Sequence, residues 1–236
     1  MKKLMALCMI GLVFTLSGCL YPNDQRAENR IPYKDQIQSV QSAVEDYHKD
    51  TSILPIKNSD QSTGIYEKYR IDFGRLIPKY MQKPPGNSYE NGGTFQYVLV
   101  DAETKPKVKL IDLVTVNRVQ EFDMRLKDYI RRNKYPPFEH VLGNGYFTLN
   151  YKELGLKSEP FVVSPFSGKH LPLIIDSKYN VYVDYSMDLY EALHKYKHHY
   201  KTGQDIRDIL VDHSNFVPAF SVPYTVKKNE PVFLTK

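Results

Sequence analysis

The sequence predicts an α+β fold in which helices are followed by antiparallel hairpins. In three separate stretches apolar residues recur every three or four positions, as they do on one face of a helix. After each of the first two stretches come a Pro- or Gly-containing turn and short β-prone runs. Strands do not directly flank the helices, as βαβ crossovers would require, so the sheets are predicted to be antiparallel.

The first 18 residues have the composition of a secretory signal. Lys2 and Lys3 precede an uncharged apolar stretch, residues 4–16. This stretch of 13 residues is shorter than the roughly 20 that a membrane-spanning helix needs. We therefore expect residues 1–18 to be removed as a signal peptide.

A single cysteine stands directly after this segment. Leu16, Ser17, Gly18 and Cys19 together resemble the lipobox of bacterial lipoproteins. That resemblance implies a diacylglycerol on the Cys19 thiol, cleavage just before it, and attachment to the membrane through the acylated residue. Two acyl chains, at about 0.8 kcal/mol per buried methylene, are enough for stable anchoring. The alternatives are an ordinary cleaved signal and an uncleaved hydrophobic anchor.

Composition restricts the class of protein further. The other cysteine, Cys8, lies in the segment to be removed, so an intramolecular disulfide is excluded in a mature chain that begins at Cys19. The remaining 218 residues can build one or two hydrophobic cores. Removal of Lys2 and Lys3 lowers the formal charge from +5 to +3, because 30 basic side chains then face 27 acidic ones. Such a mildly basic balance suits an anionic lipid surface or wall polymer, and equally an ordinary soluble surface. Export argues against nucleic acid as a partner, and no cofactor is indicated.

The chain divides into a linker and three folded stretches. Residues 19–33 are a polar, lipid-anchored linker, which as a flexible chain would span on the order of 20 Å. Residues 34–116 form a first α+β unit and residues 117–185 a second one. Residues 186–236 add a helix and a partial third unit.

Helices and strands follow from the patterns inside each unit. The apolar stripes that predict the three helices are Ile37, Val40, Val44 and Tyr47; Val119, Phe122, Leu126 and Tyr129; and Leu189, Ala192, Leu193, Tyr196 and Tyr200. Ser186 is a plausible cap for the third helix. The four predicted strands are residues 97–101, 108–114, 172–176 and 181–185.

The two units also resemble each other in sequence. "IDFGRL" (residues 71–76) pairs with "LNYKEL" (149–154), and "YVLVD" (97–101) pairs with "PLIID" (172–176). These pairs predict tandem repeated units, although loose self-similarity is common in α+β chains. If the repeat is real, "KPPGNSYENGG" (83–93) and "VSPFSGKH" (163–170) lie on corresponding edges, where we would first look for a binding cleft.

Two steps of the pattern E-x-x-H are the best candidates for metal binding. Glu45 with His48 is the first, and Glu191 with His194 is the second, extended by His198 one turn later. Such spacing places ligands on one helix face, but di-metal bundles need four helices that contribute six ligands. We therefore assign no metal, and Glu191, His194 and His198 stay the candidate ligands.

No residue of the sequence is assigned a catalytic role. "YEN" at 89–91 and "KTG" at 201–203 resemble two boxes of penicillin-interacting serine enzymes, but the S-x-x-K box is missing. Carboxylates beside predicted strands could act as acid and base across a cleft. Aspartates at such places more often bind the amides of turns. These residues are Asp72, Asp101, Asp112, Asp176 and Asp184.

Most of the mature chain resembles the YphF-like lipoproteins of Bacillus-type bacteria. The resemblance rests on "IPYKDQ" (31–36), "PPGNSYENGG" (84–93) and "SPFSGKHLP" (164–172). It implies an outer-leaflet protein of a Gram-positive cell and brings no established activity.

These observations favour a lipid-anchored, non-catalytic module that binds an envelope protein or an anionic wall polymer. The 19 tyrosines suit such a role, because a tyrosine offers a rigid apolar ring with a polar tip. Two alternatives stay open. The first is a substrate-binding lipoprotein of an ABC-type importer, and the second is a cell-wall hydrolase.

Overall fold

The computed structural model describes residues 33–234 and confirms the α+β class. The signal peptide, the lipobox Leu16-Ser17-Gly18, the lipidation residue Cys19 and almost all of the linker lie outside the described residues. Within residues 33–234, no helix combines the length and apolarity needed to cross a membrane.

The first half of the described chain is one long helix packed on one hairpin. Its elements are α1 (Tyr33–Thr51), α2 (Phe73–Leu76), a 3-10 helix (Tyr89–Asn91), β1 (Phe95–Val100) and β2 (Lys107–Asp112). The stripe predicted for the first helix faces the hairpin: Val40, Val44 and Tyr47 are buried against Tyr97, Leu99 and Leu110.

The second half is a five-stranded antiparallel sheet covered by helices. Its elements are α3 (Leu113–Asn133), β3 (Phe138–Gly143), β4 (Tyr146–Leu149), β5 (Phe161–Val163), β6 (His170–Asp176), β7 (Val181–Val183), α4 (Ser186–Lys195) and α5 (Asp208–Asp212). The strand order is β3-β4-β6-β5, and β7 also pairs with β6. A terminal hairpin, β8 (Tyr224–Lys227) and β9 (Glu230–Phe233), completes the fold.

Helix α3 lies on this sheet. The stripe predicted for it is buried together with residues of the sheet in the largest core of the described chain. The helix begins where β2 ends, because the Asp112 carboxylate accepts a hydrogen bond from the Val114 amide at 2.9 Å and so caps the first turn. Asp112 therefore links the first hairpin to the second core.

Residues 206–222 join the two halves. This segment bridges in parallel to β2 through Leu110 and Phe216, and to β7 through Val183 and Ser221. Val211, Val217 and Ala219 cover the face of the first hairpin that α1 leaves open, where they pack against Val98 and Val100.

Buried polar contacts hold this segment in place. The Lys109 ammonium donates to the carbonyls of Val211 and Ser214. Arg207, which is 6% exposed, pairs with Asp205 at 2.6 Å and donates to the carbonyl of Ser221. The Glu67 carboxylate accepts a hydrogen bond from the Phe220 amide at 2.6 Å.

The third helix and several strands depart from the sequence expectations. Helix α4 ends at Lys195 because Tyr196 adopts an extended conformation, so the last part of the predicted stripe is not helical. Tyr185 occupies the cap position in place of Ser186, whose amide binds Asp184. Strand β2 ends at Asp112 because the next residues begin α3, and β7 ends at Val183.

The two units use different architectures. "IDFGRL" contains α2, whereas "LNYKEL" begins in the last residue of β4 and continues into a turn. The first unit holds one hairpin and the second holds five strands. The structure therefore does not confirm a tandem duplication, which stays a prediction from the sequence.

Lys109→Met tests the attachment of residues 206–222. The substitution removes a charged donor and leaves the carbonyls of Val211 and Ser214 without it, so we expect the free energy of unfolding to fall by about 1.5–3 kcal/mol. Urea unfolding measures the change. The matched control is Lys107→Met, because Lys107 makes only exposed ion pairs with Asp101 and Asp212 and should contribute less than about 1 kcal/mol. Equal effects of the two substitutions would contradict the prediction.

Candidate functional site

Helix α3 and strand β5 enclose a groove of about 330 Å³. We call it the α3–β5 groove. One wall is the first half of α3, and the other is β5 with the loop that precedes it. From α3 the lining residues are Asp112, Val114, Thr115, Arg118, Glu121, Phe122 and Arg125. From the opposite wall and floor they are Leu156, Ser158, Glu159, Pro160, Phe161, Val162, Val163 and Leu173.

The helix wall is positioned by the cap at Asp112. Besides the Val114 amide, this carboxylate accepts the Thr115 hydroxyl at 3.2 Å. With the first turn fixed, the 3.6-residue period aligns Thr115, Arg118 and Phe122 toward the groove. Val114 is 56% exposed at the groove mouth.

The rim of the groove on α3 carries three linked charges. Glu121 accepts a hydrogen bond from Arg118 at 3.4 Å and from Arg125 at 3.2 Å. Each guanidinium has five N–H donors, so most of them stay available to a ligand. These pairs are exposed, and exposed pairs contribute little to stability. The three side chains together carry a net charge of +1.

The floor is apolar and rigid, whereas the outer face of β5 is exposed. Phe122, Val162 and Leu173 are all at least nine-tenths buried. Phe161 and Val163 are 41% and 51% exposed, and the Phe161 ring stacks on His170 at 3.7 Å between centroids. Strand residues alternate between faces, so Phe161 and Val163 share one face while Val162 points into the core.

The loop "VSPFSGKH" separates the groove from a second, smaller pocket. Val163 lines the groove, whereas Phe166 and Ser167 line the other pocket, of about 140 Å³. Asp188, which is 2% exposed, accepts the hydroxyls of Ser164 at 2.7 Å and Ser167 at 2.5 Å. Burial raises the pKa of Asp188 above its usual value. This buried carboxylate fixes the turn between β5 and β6, and so it fixes the position of β5.

The loop "KPPGNSYENGG" is packed against the first core and lines neither of these two pockets. The buried Tyr97 hydroxyl donates to the Asn87 side chain at 2.7 Å, and the Asn87 amide donates to Gln36. A side chain at Gly93 would meet the Asn87 main chain at about 2.1 Å. Of the two loops in which the sequence analysis looked for a cleft, "VSPFSGKH" is the one that borders these two pockets.

The candidate metal ligands are engaged with other groups. Glu191 pairs with Lys169, the His194 ring contacts the Tyr190 carbonyl at 2.8 Å, and the His198 ring contacts Asn229 at 3.1 Å. His198 does not lie one turn beyond His194 on a helix, since α4 ends at Lys195. Across residues 33–234, no three His, Cys, Asp or Glu side chains are grouped as a metal would require.

The aspartates beside strands bind main-chain amides, as the turn interpretation predicts. Asp72 and Asp112 cap α2 and α3, Asp176 accepts the amides of Lys178 and Asn180, and Asp184 accepts the Ser186 amide. Asp101 instead pairs with Lys107 at 3.0 Å. Of the five, Asp112 alone lines the groove.

Sequence reasoning missed β5 and the Arg118–Glu121–Arg125 group. The run "FVV" is too short for periodicity to mark it as a strand. Arg118, Glu121 and Arg125 occupy i, i+3 and i+7 positions, a spacing readable from sequence, although it is typical of any solvated helix face.

Comparison with known proteins bears on the first half of the fold. Residues 33–112 match the YphF family N-terminal domain, which supports a YphF-like family for this chain. The matched stretch runs from the first residue of α1 to the last residue of β2. No curated protein and no solved structure matches the chain. Apart from Asp112, the groove lies in the part of the chain that follows the family match.

Asp188→Asn tests the buried carboxylate beside β5. The folded-state pKa of Asp188 is raised, so its favourable contribution is complete below the unfolded-state pKa and is lost as pH rises through the folded-state value. The stability of the unaltered protein relative to Asp188→Asn should therefore decrease as pH rises from about 4 upward. Urea unfolding across this range measures the difference. Asp60→Asn is the control, because Asp60 is exposed. If the stability of the unaltered protein relative to Asp188→Asn increased with pH, the raised pKa of Asp188 would be refuted.

Proposed function

We propose that this protein is a lipid-anchored binding module on the extracytoplasmic face of the cell membrane, and that it holds an envelope component in the α3–β5 groove. The observation that carries the proposal is the groove itself: an open cavity of about 330 Å³ with a buried apolar floor and a charged rim. Binding sites commonly combine such a floor with a few polar groups that orient the ligand.

The polar groups of the groove favour binding over hydrolysis. Glu121 is shared by two arginines, and Asp112 is used as the cap of α3. Glu159 is the remaining carboxylate of the lining, whereas glycoside hydrolysis uses a pair flanking the bond to be cut. The described lining residues include neither histidine nor cysteine.

The location of the groove favours a surface module over an importer subunit. Substrate capture between two lobes would need a cleft lined by both halves of the molecule. Here, Asp112 at the end of β2 comes from the first half. The other residues of the groove lining belong to α3 and to residues 156–173, in the second half.

The linker would hold the groove near the membrane. The Tyr33 ring lies 5.2 Å from that of Phe95, and Phe95 is the register partner of Asp112 at one end of the groove. A tether that enters the fold at Tyr33 therefore leads to the groove end of the first hairpin. An acylated Cys19 would keep this end within the reach of a short linker.

A photo-reactive side chain at Val114 tests whether the groove is occupied in cells. Val114 lines the groove, whereas Met124, 65% exposed on the same helix, does not. We expect irradiation of intact cells to yield a discrete adduct at position 114 and none at 124, as judged by mass spectrometry of the purified protein. Adducts of equal yield at both positions, or at neither, would refute the groove as the binding site. A small-molecule adduct at 114 would favour the importer alternative.

Cys19→Ala tests the anchor. Without the thiol the acyl chains cannot be attached, so we expect the protein to be shed or to remain as the unprocessed precursor. Fractionation and intact-mass measurement distinguish these outcomes. Normal processing with unchanged membrane retention would contradict the lipoprotein assignment, and Cys8→Ala is the matched control.

A further inference from the structure

We infer that the α3–β5 groove binds an extended stretch of another protein, which adds to the free edge of β5 as a further strand. This inference rests on the proposed function and names the class of its ligand. It is carried by the unpaired edge of β5, by the apolar floor next to that edge, and by the charges of the facing helix.

One edge of β5 is unpaired within the described residues. β5 pairs only with β6, in the register Phe161 with Pro172, Val162 with Leu171 and Val163 with His170. The Ser164 amide donates to the Lys169 carbonyl, and the Pro172 carbonyl accepts from Asp184 on the side of β7. Because main-chain groups alternate between edges along an antiparallel strand, Val162 bonds β6 while the N–H and C=O groups of Phe161 and Val163 point away from it.

The groove lies along this free edge. Three consecutive residues, Phe161, Val162 and Val163, line it, whereas one face of a strand would contribute only alternate residues. An added strand would therefore run between β5 and α3. Strand addition to an exposed sheet edge is a recognised mode of peptide binding, in which main-chain hydrogen bonds give affinity and side-chain pockets give specificity.

The two faces of an added strand would meet different surfaces. Side chains directed toward α3 would enter the cavity over Phe122 and Leu173, which are buried and apolar. Side chains on the opposite face would lie beside the exposed Phe161 and Val163. Both environments favour β-branched or aliphatic residues in the ligand.

The charges on the helix wall favour extended segments that contain an acidic residue. Arg118, Glu121 and Arg125 carry a net +1 and retain free guanidinium donors along the helix wall. An acidic side chain in the bound segment would accept from them. An anionic wall polymer could use the same arginines, but it has no apolar side chains to fill the floor and no N–H and C=O groups at the spacing of a strand. The combination therefore favours a polypeptide with apolar residues and a carboxylate.

Selection from a displayed library of random 12-residue peptides tests the inference on the full-length chain in detergent micelles. We expect enriched peptides to carry β-branched or aliphatic residues at alternate positions together with Asp or Glu. N-methylation of alternate amides in an enriched peptide should abolish binding, because strand addition needs those donors.

Matched variants locate the site. Val163→Pro removes an outward N–H without touching the ladder to β6, and should weaken peptide binding by about tenfold or more. Val163→Ala keeps that N–H and loses only side-chain contact with the ligand, so it should weaken binding several times less than Val163→Pro. Arg118→Ala with Arg125→Ala should likewise weaken binding about tenfold. Arg131→Ala with Arg132→Ala is its control, because these arginines pair with Asp128 further along α3, outside the groove lining. Thermal unfolding of each variant verifies that it is folded.

Four outcomes would overturn the inference. The selection could enrich no binding peptide, or the peptides could bind Val163→Pro as tightly as Val163→Ala. Alternatively, self-association of the unaltered chain that Val163→Pro abolishes would identify a second copy as the occupant. A wall-polymer adduct at Val114 in cells would refute only the polypeptide ligand and would leave the proposed binding module unaffected.

Discussion

The packing of residues 206–222 against both halves of the molecule fixes how the halves are arranged. These residues bridge to β2 on one side and to β7 on the other, and they cover a face of the first hairpin that would otherwise be exposed. The polar groups buried along them are paired, with Lys109 on helix-end carbonyls and Arg207 on Asp205. Removing one member of such a pair leaves its partner buried without compensation, which is why the connection between the halves is specific.

The groove depends on a second connection between the halves, helix α3. Helix α3 starts at the last residue of a strand in the first half and packs on the sheet of the second half. The direction of α3 is therefore set at two places. The Asp112 cap fixes its start, and burial of Val119, Phe122 and Leu126 fixes its middle on the sheet. Across the groove, Asp188 holds the turn that follows β5. Two aspartates thus position the facing walls: Asp112 through donors of its own helix turn, and Asp188 through the hydroxyls of the turn that follows β5.

Within the groove, the strongest recognition elements are apolar surface and unpaired main chain. The ion pairs of the rim are long and exposed, so they can be exchanged for contacts with a ligand at little cost. The floor is rigid because its residues belong to the main core. A ligand would meet a preformed surface, which reduces the entropy lost on binding.

The sequence by itself determined the α+β class and the two long helices, because the apolar stripes of α1 and α3 are local patterns and each helix buries its stripe in a core. It also indicated the turn role of Asp72, Asp112, Asp176 and Asp184, since Asx side chains bind neighbouring amides. Tertiary structure decided where α4 ends, because the residues beyond Lys195 still carry apolar side chains at helical spacing, and these pack against the core from an extended chain. It also decided the candidate site. Asp112 and Val163 are some 50 residues apart in the chain, and a three-residue strand has no period of its own, so only the packing of α3 against β5 brings the walls together.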